Sequence, residues 1–300
     1  MRPAHLALAV MVALLWGFNF VPIKAGLTDY PPFLLLALRF GLAAIPALFV
    51  PPPAVPWLRI VLIGIVHFTA QFSLLFLGMA HGMPPGLASL VMQSQAFFTV
   101  LFANLFLREI PTARQGLGMA LALAGLVVIA TGIGGDASYL GLALTLGAAA
   151  SWACGNIMVR GLGKVDMLRF VIWASLVPIA PALVLSLIFE GPQAIVQSLG
   201  HPSLAGLASI LYLGVLSTLA GWGMWNYLLK LYPASTVAPF ALLIPPFGAG
   251  AAALVYGEGF GLSRLCGMAL IMAGLAAISL RLPRWQARAV PVPGAPIRPN

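Results

Sequence analysis

Charged residues are scarce in this sequence, and acidic residues are the scarcest. Lys, Arg, Asp and Glu make up 7% of the 300 residues against 61% hydrophobic residues, and only six residues are acidic. A soluble domain carries about 25% charged residues, so the composition excludes a hydrated globular surface. Apolar runs of about 18 to 25 residues recur throughout, and the alternation typical of an outer-membrane barrel is missing. We therefore predict an all-α, polytopic membrane protein.

Residues for metal or redox chemistry are also few. The two cysteines, Cys154 and Cys266, lie inside apolar runs and are interpreted as small packing residues, not as a disulfide or metal site. An integral-membrane enzyme acting on lipids needs paired His, Asp or Cys ligands near one interface, and none of the short connectors holds a P-loop. We therefore expect no enzyme activity, no metal and no cofactor. The four histidines are scattered: His5, His67, His81 and His201.

Ten apolar runs are long enough to cross about 30 Å of hydrocarbon. Turn residues separate them, as at Tyr232-Pro233. The first run is interpreted as a retained span, not a cleaved signal. The predicted spans are 5–26, 33–50, 57–80, 84–107, 115–133, 138–159, 169–189, 204–229, 234–256 and 263–281.

The basic residues predict the orientation of the chain. The net charge of +9 would suggest nucleic acid in a soluble protein, but here the charges lie mostly between apolar runs, so we expect a lipid bilayer and no nucleic acid as partner. With a cytoplasmic N-terminus, twelve basic residues face the cytoplasm and two, Lys24 and Arg264, face outward, while Arg39 lies within the second span. The positive-inside rule therefore places both termini in the cytoplasm. The proline-rich basic segment 282–300 is predicted to be a disordered cytoplasmic tail.

An internal duplication organises the chain. A shift of 149 positions lays Pro84–Leu126 on Pro233–Leu275 with twelve identities in 43 positions, including the block GMAL in both copies. A shift of 136 pairs Trp16 with Trp152 and Lys24 with Arg160, and the difference of 13 residues fits an insertion at 190–202 between the seventh and eighth spans. Each repeat thus holds five spans, 1–133 and 138–281. Five is odd, so the repeats cross the membrane in opposite senses, as in many transporters.

Polar residues inside the spans cluster at helical spacing. Neighbours three or four positions apart share a helix face, and uncharged amides and indoles at depth either line a wet cavity or bond to a neighbouring helix. Because the set comes from several spans, we predict a central substrate-binding cavity. The candidate residues are Trp16, Asn19, His67, Gln71, Gln93, Gln95, Trp152, Asn156, Trp222 and Asn226.

Several of these residues leave alternatives open. Gln93 and Gln95 diverge by 200° on an α-helix, so we expect one of them to face a given cavity. His67 is either a neutral hydrogen-bonding group or a pH-responsive one. Lys24 and Arg160 either extend to the membrane interface or place a charge at the cavity mouth to meet a carboxylate.

The acidic residues are predicted to lie in connectors, with none at mid-membrane. A buried carboxylate is the usual proton relay of a pump, and this chain offers no candidate. Glu109 and Glu258 are repeat-equivalent and are interpreted as structural groups at helix ends. The fifth and tenth spans carry alanines at four-residue spacing, Ala120/Ala124 and Ala269/Ala273/Ala277, which favours scaffolding or a homodimer contact.

Two five-span repeats, each with a tryptophan in its first span and a Glu–(eight residues)–GMAL block entering its last, resemble the EamA domain of the drug/metabolite transporter superfamily. The strings LWGFNFVPIKAGL (15–27), GMPPGLASLVMQSQAFFT (82–99) and SWACGNIM (151–158) look like bacterial EamA/YddG-type exporters of amino acids and related metabolites. The resemblance covers about residues 5–281. It implies a ten-helix inner-membrane exporter whose cavity is formed mainly by spans 1, 3, 4, 6, 8 and 9.

The function that the sequence predicts is export of amino acids or related small metabolites by alternating access. The alternative keeps the fold and changes the cargo to drugs or phosphorylated metabolites. Small multidrug resistance proteins of the same superfamily depend on a glutamate in the first span. Leu14, Trp16 and Gly17 occupy that depth here, which disfavours exchange of protons for cationic drugs.

Overall fold

The computed structural model describes residues 1–131 and 137–279, and this part of the chain contains helices and connectors but no strands. Nine helical segments are long and apolar enough to cross a membrane, and a tenth apolar helix is shorter. The predicted tail at 282–300 lies outside the described residues. The ten helices are α1 (Pro3–Asp29), α2 (Pro32–Leu48), α3 (Trp57–Ala80), α4 (Pro85–Leu107), α5 (Ala113–Thr131), α6 (Tyr139–Arg160), α7 (Met167–Glu190), α8 (Leu204–Leu231), α9 (Pro239–Tyr256) and α10 (Leu262–Ser279).

The observed helix ends lie within three residues of the predicted ones, except that α9 begins five residues late. A separate turn of helix at Ala234–Val237 and a 3₁₀ segment at Ala238–Leu243 precede or open α9, because Pro239 has no N–H to continue a regular ladder. The predicted insertion between α7 and α8 contains a short helix, Pro192–Gly200. The all-helical, ten-span prediction is confirmed.

Proline also explains the break in α1. The helix is interrupted at Asn19, between the segments Pro3–Phe18 and Phe20–Asp29. Pro22 cannot donate a hydrogen bond to the carbonyl of Phe18, so the ladder loses a bond at that point. The break lies near mid-helix and leaves Asn19 at the bend.

The irregular turns of the helices follow the sequence duplication. A π-helical segment occupies Gly64–Ala70 in α3 and Tyr212–Ala220 in α8, which coincide at a shift of 149. In both segments a threonine hydroxyl donates to the carbonyl five residues earlier: Thr69 to Gly64 (3.2 Å) and Thr218 to Leu213 (2.8 Å). The two halves therefore share backbone detail that sequence identity does not record at these positions.

Helices α5 and α10 show that the two halves are inverted. Gly118 corresponds to Gly267 in the duplication, and Gly125 corresponds to Gly274. In the structure Gly118 lies against Gly274 and Gly125 against Gly267. The earlier glycine of one helix thus meets the later glycine of the other, so these equivalent helices are antiparallel and related by a pseudo-two-fold axis.

Two other contacts between the halves have the same sense. On α4 and α9, Ser89 lies against Gly248 and Gly86 lies near Ala252, again an antiparallel crossing. Helices α1 and α6 each pack across the boundary, α1 on α8 and α9, and α6 on α3 and α4. This arrangement surrounds a central space, while α5 and α10 stand together at the side.

The helix ends define two sides of the bundle. We call the side where α1 begins the N-terminal side, and the other the opposite side. Since successive helices alternate in direction, α1, α3, α5, α7 and α9 end on the opposite side and the even-numbered helices end on the N-terminal side.

Candidate functional site

A cavity of about 240 Å³ lies between the two halves of the chain. Seven helices line it: α1, α2, α3 and α4 from the first half, and α6, α8 and α9 from the second. Helix α2 is the one lining helix that the resemblance did not imply. The lining residues are Trp16, Asn19, Phe20, Arg39, Gln71, Phe72, Leu75, Met92, Gln93, Gln95, Trp152, Asn156, Ser217, Trp222, Trp225, Ala241 and Ile244.

Eight of the ten residues singled out in the sequence meet at this cavity. They come from five helices, and each is buried or partly buried. His67 and Asn226 do not line the cavity. The eight are Trp16, Asn19, Gln71, Gln93, Gln95, Trp152, Asn156 and Trp222.

Three indoles form one wall of the cavity. The ring of Trp16 lies 5.6 Å from that of Trp222 and 5.4 Å from that of Trp225, centroid to centroid. Its Nε1 donates to the carbonyl of Ser217 at 3.0 Å. Gly221 makes this approach possible, because a Cβ there would lie 2.5 Å from the Trp16 Nε1. The wall joins α1 to α8 and offers aromatic faces to an apolar or cationic group.

An amide pair joins the halves on another wall. The Asn156 Nδ2 donates to the Gln95 Oε1 at 3.1 Å and lies 3.4 Å from the Thr99 Oγ1. Such a pair across helices stabilises the contact by about 0.6 to 2 kcal/mol. The bond links α6 to α4 at the point where α4 faces the cavity.

Arg39 is the one charged side chain among the described residues that line the cavity. It is 3% exposed. Its Nη2 donates to the Thr218 Oγ1 at 3.2 Å, and its guanidinium carbon lies 4.0 Å from the centroid of the Phe72 ring. Its Nε and Nη1 are buried and have no hydrogen-bond partner. The sequence analysis noted Arg39 inside the second span but did not place it in the site.

The sequence matches the EamA-like transporter family twice, over residues 4–131 and 139–280. These two matches cover most of the chain and coincide with the two inverted halves. The chain belongs to the EamA-like transporter family. It is therefore a multi-pass membrane transporter with a small-molecule substrate, and not an enzyme.

Several relatives of this EamA-like transporter carry functional names. Proteins of Salmonella typhimurium and Escherichia coli called probable amino-acid metabolite efflux pump are each 42% identical over 275 residues, covering 89% of this chain and 92% of the relative. A probable terminal-alkyne amino-acid exporter of Streptantibioticus cattleyicolor is 29% identical over 285 residues, covering 91% and 92%. One crystal structure of a protein 20% identical in sequence superposes with a TM-score of 0.65 and covers 92% of this chain and 96% of the other, which supports the fold.

His67 of this EamA-like transporter lies behind the cavity wall. It is buried on the π-helical segment of α3, in the space that Gly155 of α6 leaves by lacking a side chain. Its ring meets the Trp152 ring edge-on at 5.8 Å between centroids. Although His67 shares a helix face with Gln71, the neighbouring α6 occupies that face before it reaches the cavity. His67 thus supports Trp152, which does line the cavity.

Asn226 is buried, but Trp225 takes the cavity position that the spacing offered to it. Relative to Trp222, a residue at i+3 lies 60° to one side and a residue at i+4 lies 40° to the other. Spacing alone does not choose between them. The sequence reasoning therefore missed Trp225, although a tryptophan three positions after Trp222 was a usable signal.

Gln93 and Gln95 both line the cavity, so the expectation that one of them would face it was wrong. The reason is the 3₁₀ segment Met92–Ser94, where each residue turns the chain by about 120° instead of 100°. Two steps then separate the side chains by about 120° the short way round, and a wide cavity accommodates both.

The cavity opens toward the N-terminal side. On α4, residues 85–94 are all buried whereas 95–102 are partly exposed. Asn156 lies four residues before the end of α6 and Trp225 six before the end of α8, or roughly 6 and 9 Å from that side. The deeper residues Asn19 and Gln71 are buried.

On the opposite side, carboxylates join neighbouring helices. Glu258 accepts from the backbone N–H groups of Gly86 (2.8 Å) and Leu87 (3.1 Å) at the start of α4. Glu190 does the same for Phe33 (2.6 Å) and Leu34 (3.2 Å) at the start of α2. These are charge-assisted bonds at helix N-termini, where negative charge is favoured.

A third carboxylate on this side completes the set. Asp29, at the end of α1, accepts from the backbone N–H of Ser203 (3.1 Å), the residue that caps the start of α8. Each of the three bonds ties the end of one helix to the beginning of another and holds the opposite side closed.

The N-terminal side is held by two exposed ion pairs instead. Arg160 lies 2.8 Å from Glu109, and Lys230 lies 3.6 Å from Asp166, with side chains about 40 to 65% exposed. Exposed pairs stabilise by about 0 to 1 kcal/mol. The two sides of the described bundle therefore differ in how firmly they are closed.

Proposed function

We propose that this chain exports amino acids or closely related small metabolites across the bacterial inner membrane, by alternating access of the central cavity to the two sides. The observation that carries the proposal is the composition of the cavity: amides, indoles and one guanidinium, enclosed between inverted repeats. Polar groups of this kind suit a small zwitterion. The names of the efflux-pump relatives and of the alkyne amino-acid exporter support the same class of cargo.

The basic residues support a cytoplasmic position for both termini, following the positive-inside rule. In that orientation the N-terminal side is cytoplasmic, and the cavity opens toward the cytoplasm. This is the conformation in which an exporter loads its substrate. The two EamA repeats would then be 1–133 and 138–281, with the segment 282–300 as a basic cytoplasmic tail.

An exchange of glutamate partners supports alternating access. Glu258 and Glu109 are repeat-equivalent, as are Lys24 and Arg160. In this structure Glu258 bonds the start of α4, while Glu109 pairs with Arg160. In the reverse conformation, Glu109 would bond the start of α9 and Glu258 would pair with Lys24. Lys24 already lines the same surface recess as Glu258, with its Nζ 4.7 Å from the Tyr256 ring centroid.

Other cargo fits the cavity less well. Drug-sized ligands occupy pockets of about 300 to 1,000 Å³, and this cavity is about 240 Å³. A phosphorylated metabolite brings about two negative charges, whereas Arg39 is the one cation among the described lining residues. Exchange of drugs or phosphorylated metabolites therefore remains the second candidate.

A homodimer through α5 and α10 is part of the proposal. The glycines of these helices meet within the chain, but Ala120, Ala124, Ala269 and Ala273 remain exposed on the outer faces. Small residues let a second copy approach closely. Cross-linking through cysteines placed at these alanines in native membranes would test it.

Counterflow in proteoliposomes tests the proposed cargo. Purified protein is loaded with one L-amino acid at high concentration, and entry of a panel of labelled amino acids is followed. We expect a subset of amino acids to exchange and phosphorylated sugars not to compete. Exchange of phosphorylated sugars without any amino-acid flux would contradict the proposal.

Two substitutions in the cavity should lower export at normal expression. Trp152→Ala removes a wall residue together with the ring that His67 supports, and Asn156→Ala leaves the Gln95 amide oxygen without its donor. We expect each to reduce flux by about tenfold or more, measured per amount of protein in the membrane. Trp57→Ala, at an exposed tryptophan outside the cavity, is the matched control and should transport normally. Normal flux in both cavity variants would remove these residues from the site.

A further inference from the structure

The cavity contains a buried positive charge that no carboxylate of the described chain neutralises. Arg39 carries two nitrogens without a hydrogen-bond partner, and neither ion pair of the described residues involves it. The hydrogen bond to Thr218 and the Phe72 ring compensate the charge in part. A buried guanidinium left incompletely paired is destabilising, so its presence at the cavity wall points to an anion that arrives with the substrate.

Two further unpaired groups lie on the same wall. The Gln71 side-chain Nε2, on a residue 1% exposed, is a donor without a partner, and the Asn19 Oδ1, on a residue 8% exposed, is an acceptor without a partner. Buried amides normally have their hydrogen bonds satisfied. The cavity therefore holds unpaired donors beside a cation, together with one unpaired acceptor.

We propose that Arg39 binds the carboxylate of the transported molecule, with the Gln71 amide as a second donor and the Asn19 amide oxygen as acceptor for its ammonium group. This rests on the proposed function and names its specificity: the substrate class is an α-amino carboxylate. Arginine suits this role because its planar donors match the geometry of a carboxylate. The indoles of Trp16 and Trp222 leave an apolar and aromatic surface for the remainder of the molecule.

The asymmetry of the duplication supports a single carboxylate site. Helix α7, the equivalent of α2 in the second half, contains one basic residue, Arg169, which is exposed near its N-terminal-side end. The hydroxyl that orients Arg39 comes from the π-helical segment of α8, and its equivalent Thr69 has no such partner among the described hydrogen bonds. Two similar halves thus form a cavity with one polarised end.

The test compares an amino acid with its carboxamide in wild-type protein and in Arg39→Gln and Arg39→Lys variants. Binding is followed by thermal stabilisation in detergent, and transport by counterflow. We expect the wild type to prefer the carboxylate. Arg39→Gln should weaken carboxylate binding by about 30-fold or more, the usual consequence of truncating a buried charge pair, and should no longer distinguish it from the carboxamide. Arg39→Lys should retain part of the preference.

A structural role for Arg39 predicts a different result. Removing an unpaired buried charge should leave the melting temperature of the ligand-free Arg39→Gln protein unchanged or raised, whereas a structural role would lower it. Lys164→Gln, at an exposed cation in a connector, removes the same charge far from the cavity and should keep the preference. Undiminished carboxylate preference in Arg39→Gln would overturn the proposal.

The proposed cargo and the carboxylate site can fail separately. If lactate, a 2-hydroxy acid, stabilises the wild type through Arg39 but no amino acid is transported, the amino-acid cargo is wrong and the carboxylate site stands. If amino acids are transported equally by wild type and Arg39→Gln, the site is wrong and the cargo stands. If no carboxylate stabilises the wild type, the Arg39 proposal is overturned.

Discussion

Substitution of Gly125 by leucine is expected to prevent α5 and α10 from packing together and to destabilise the folded protein by about 3 kcal/mol or more. A Cβ at Gly125 would lie 2.7 Å from the carbonyl oxygen of Gly267 and 2.9 Å from the backbone nitrogen of Ile271. Both obstacles are backbone atoms and cannot rotate away. Because helix association in lipid depends on close packing and not on a hydrophobic driving force, separating these helices removes the contact as a whole.

Gly116 provides the control on the same helix. A Cβ at Gly116 would meet nothing within 4 Å, so Gly116→Leu should melt like the wild type. The melting temperature of detergent-solubilised protein, followed by size-exclusion chromatography after heating, measures both. Equal melting temperatures for Gly125→Leu and Gly116→Leu would contradict the close approach of the glycines in the membrane.

Substitution of Glu258 by alanine should open the opposite side of the cavity. It removes two charge-assisted hydrogen bonds to the start of α4, which are together worth about 2 kcal/mol, so the ratio of conformations should shift by about 30-fold. Ser89→Cys in a background without Cys154 and Cys266 reports the change, because Ser89 is fully buried against Gly248. We expect Glu258→Ala to accelerate labelling of this cysteine by a membrane-impermeant thiol reagent from outside the cell.

Glu109→Ala is the repeat-equivalent comparison. In the present conformation Glu109 forms an exposed ion pair with Arg160, which contributes little. In the reverse conformation it is proposed to bond α9, so its removal should slow labelling at position 89 or leave it unchanged. Faster labelling in Glu109→Ala, equal to that in Glu258→Ala, would show that the two glutamates do not exchange roles.

The structure separates the close contacts of α5 and α10 from those expected in the sequence. The alanines at four-residue spacing suggested the contact face, but Ala120 and Ala124 are exposed, and the contact between the helices uses Gly118 and Gly125 at seven-residue spacing. A spacing of seven residues also returns to one helix face after two turns. Both stripes were visible in the sequence, and the identity of the neighbour selected between them.

The amino-acid sequence by itself determined the class of protein, its ten spans and their inversion. Scarce charge requires a lipid environment, the length of each apolar run sets a crossing, and an odd number of spans in each repeat turns the second half over. It also supplied eight of the cavity residues, because amides and indoles inside spans are few and stand at helical spacing. These properties depend on composition and on periodicity along the chain.

The tertiary structure alone decided which helix face meets which neighbour. Spacing could not show that α6 covers His67, that a 3₁₀ turn brings Gln93 and Gln95 to one space, or that Trp225 precedes Asn226 at the wall. It could not show that Arg39 turns inward and meets a hydroxyl 179 positions away. Such choices depend on contacts between residues distant in sequence, and a helical period specifies an angle around one helix but not what lies beside it.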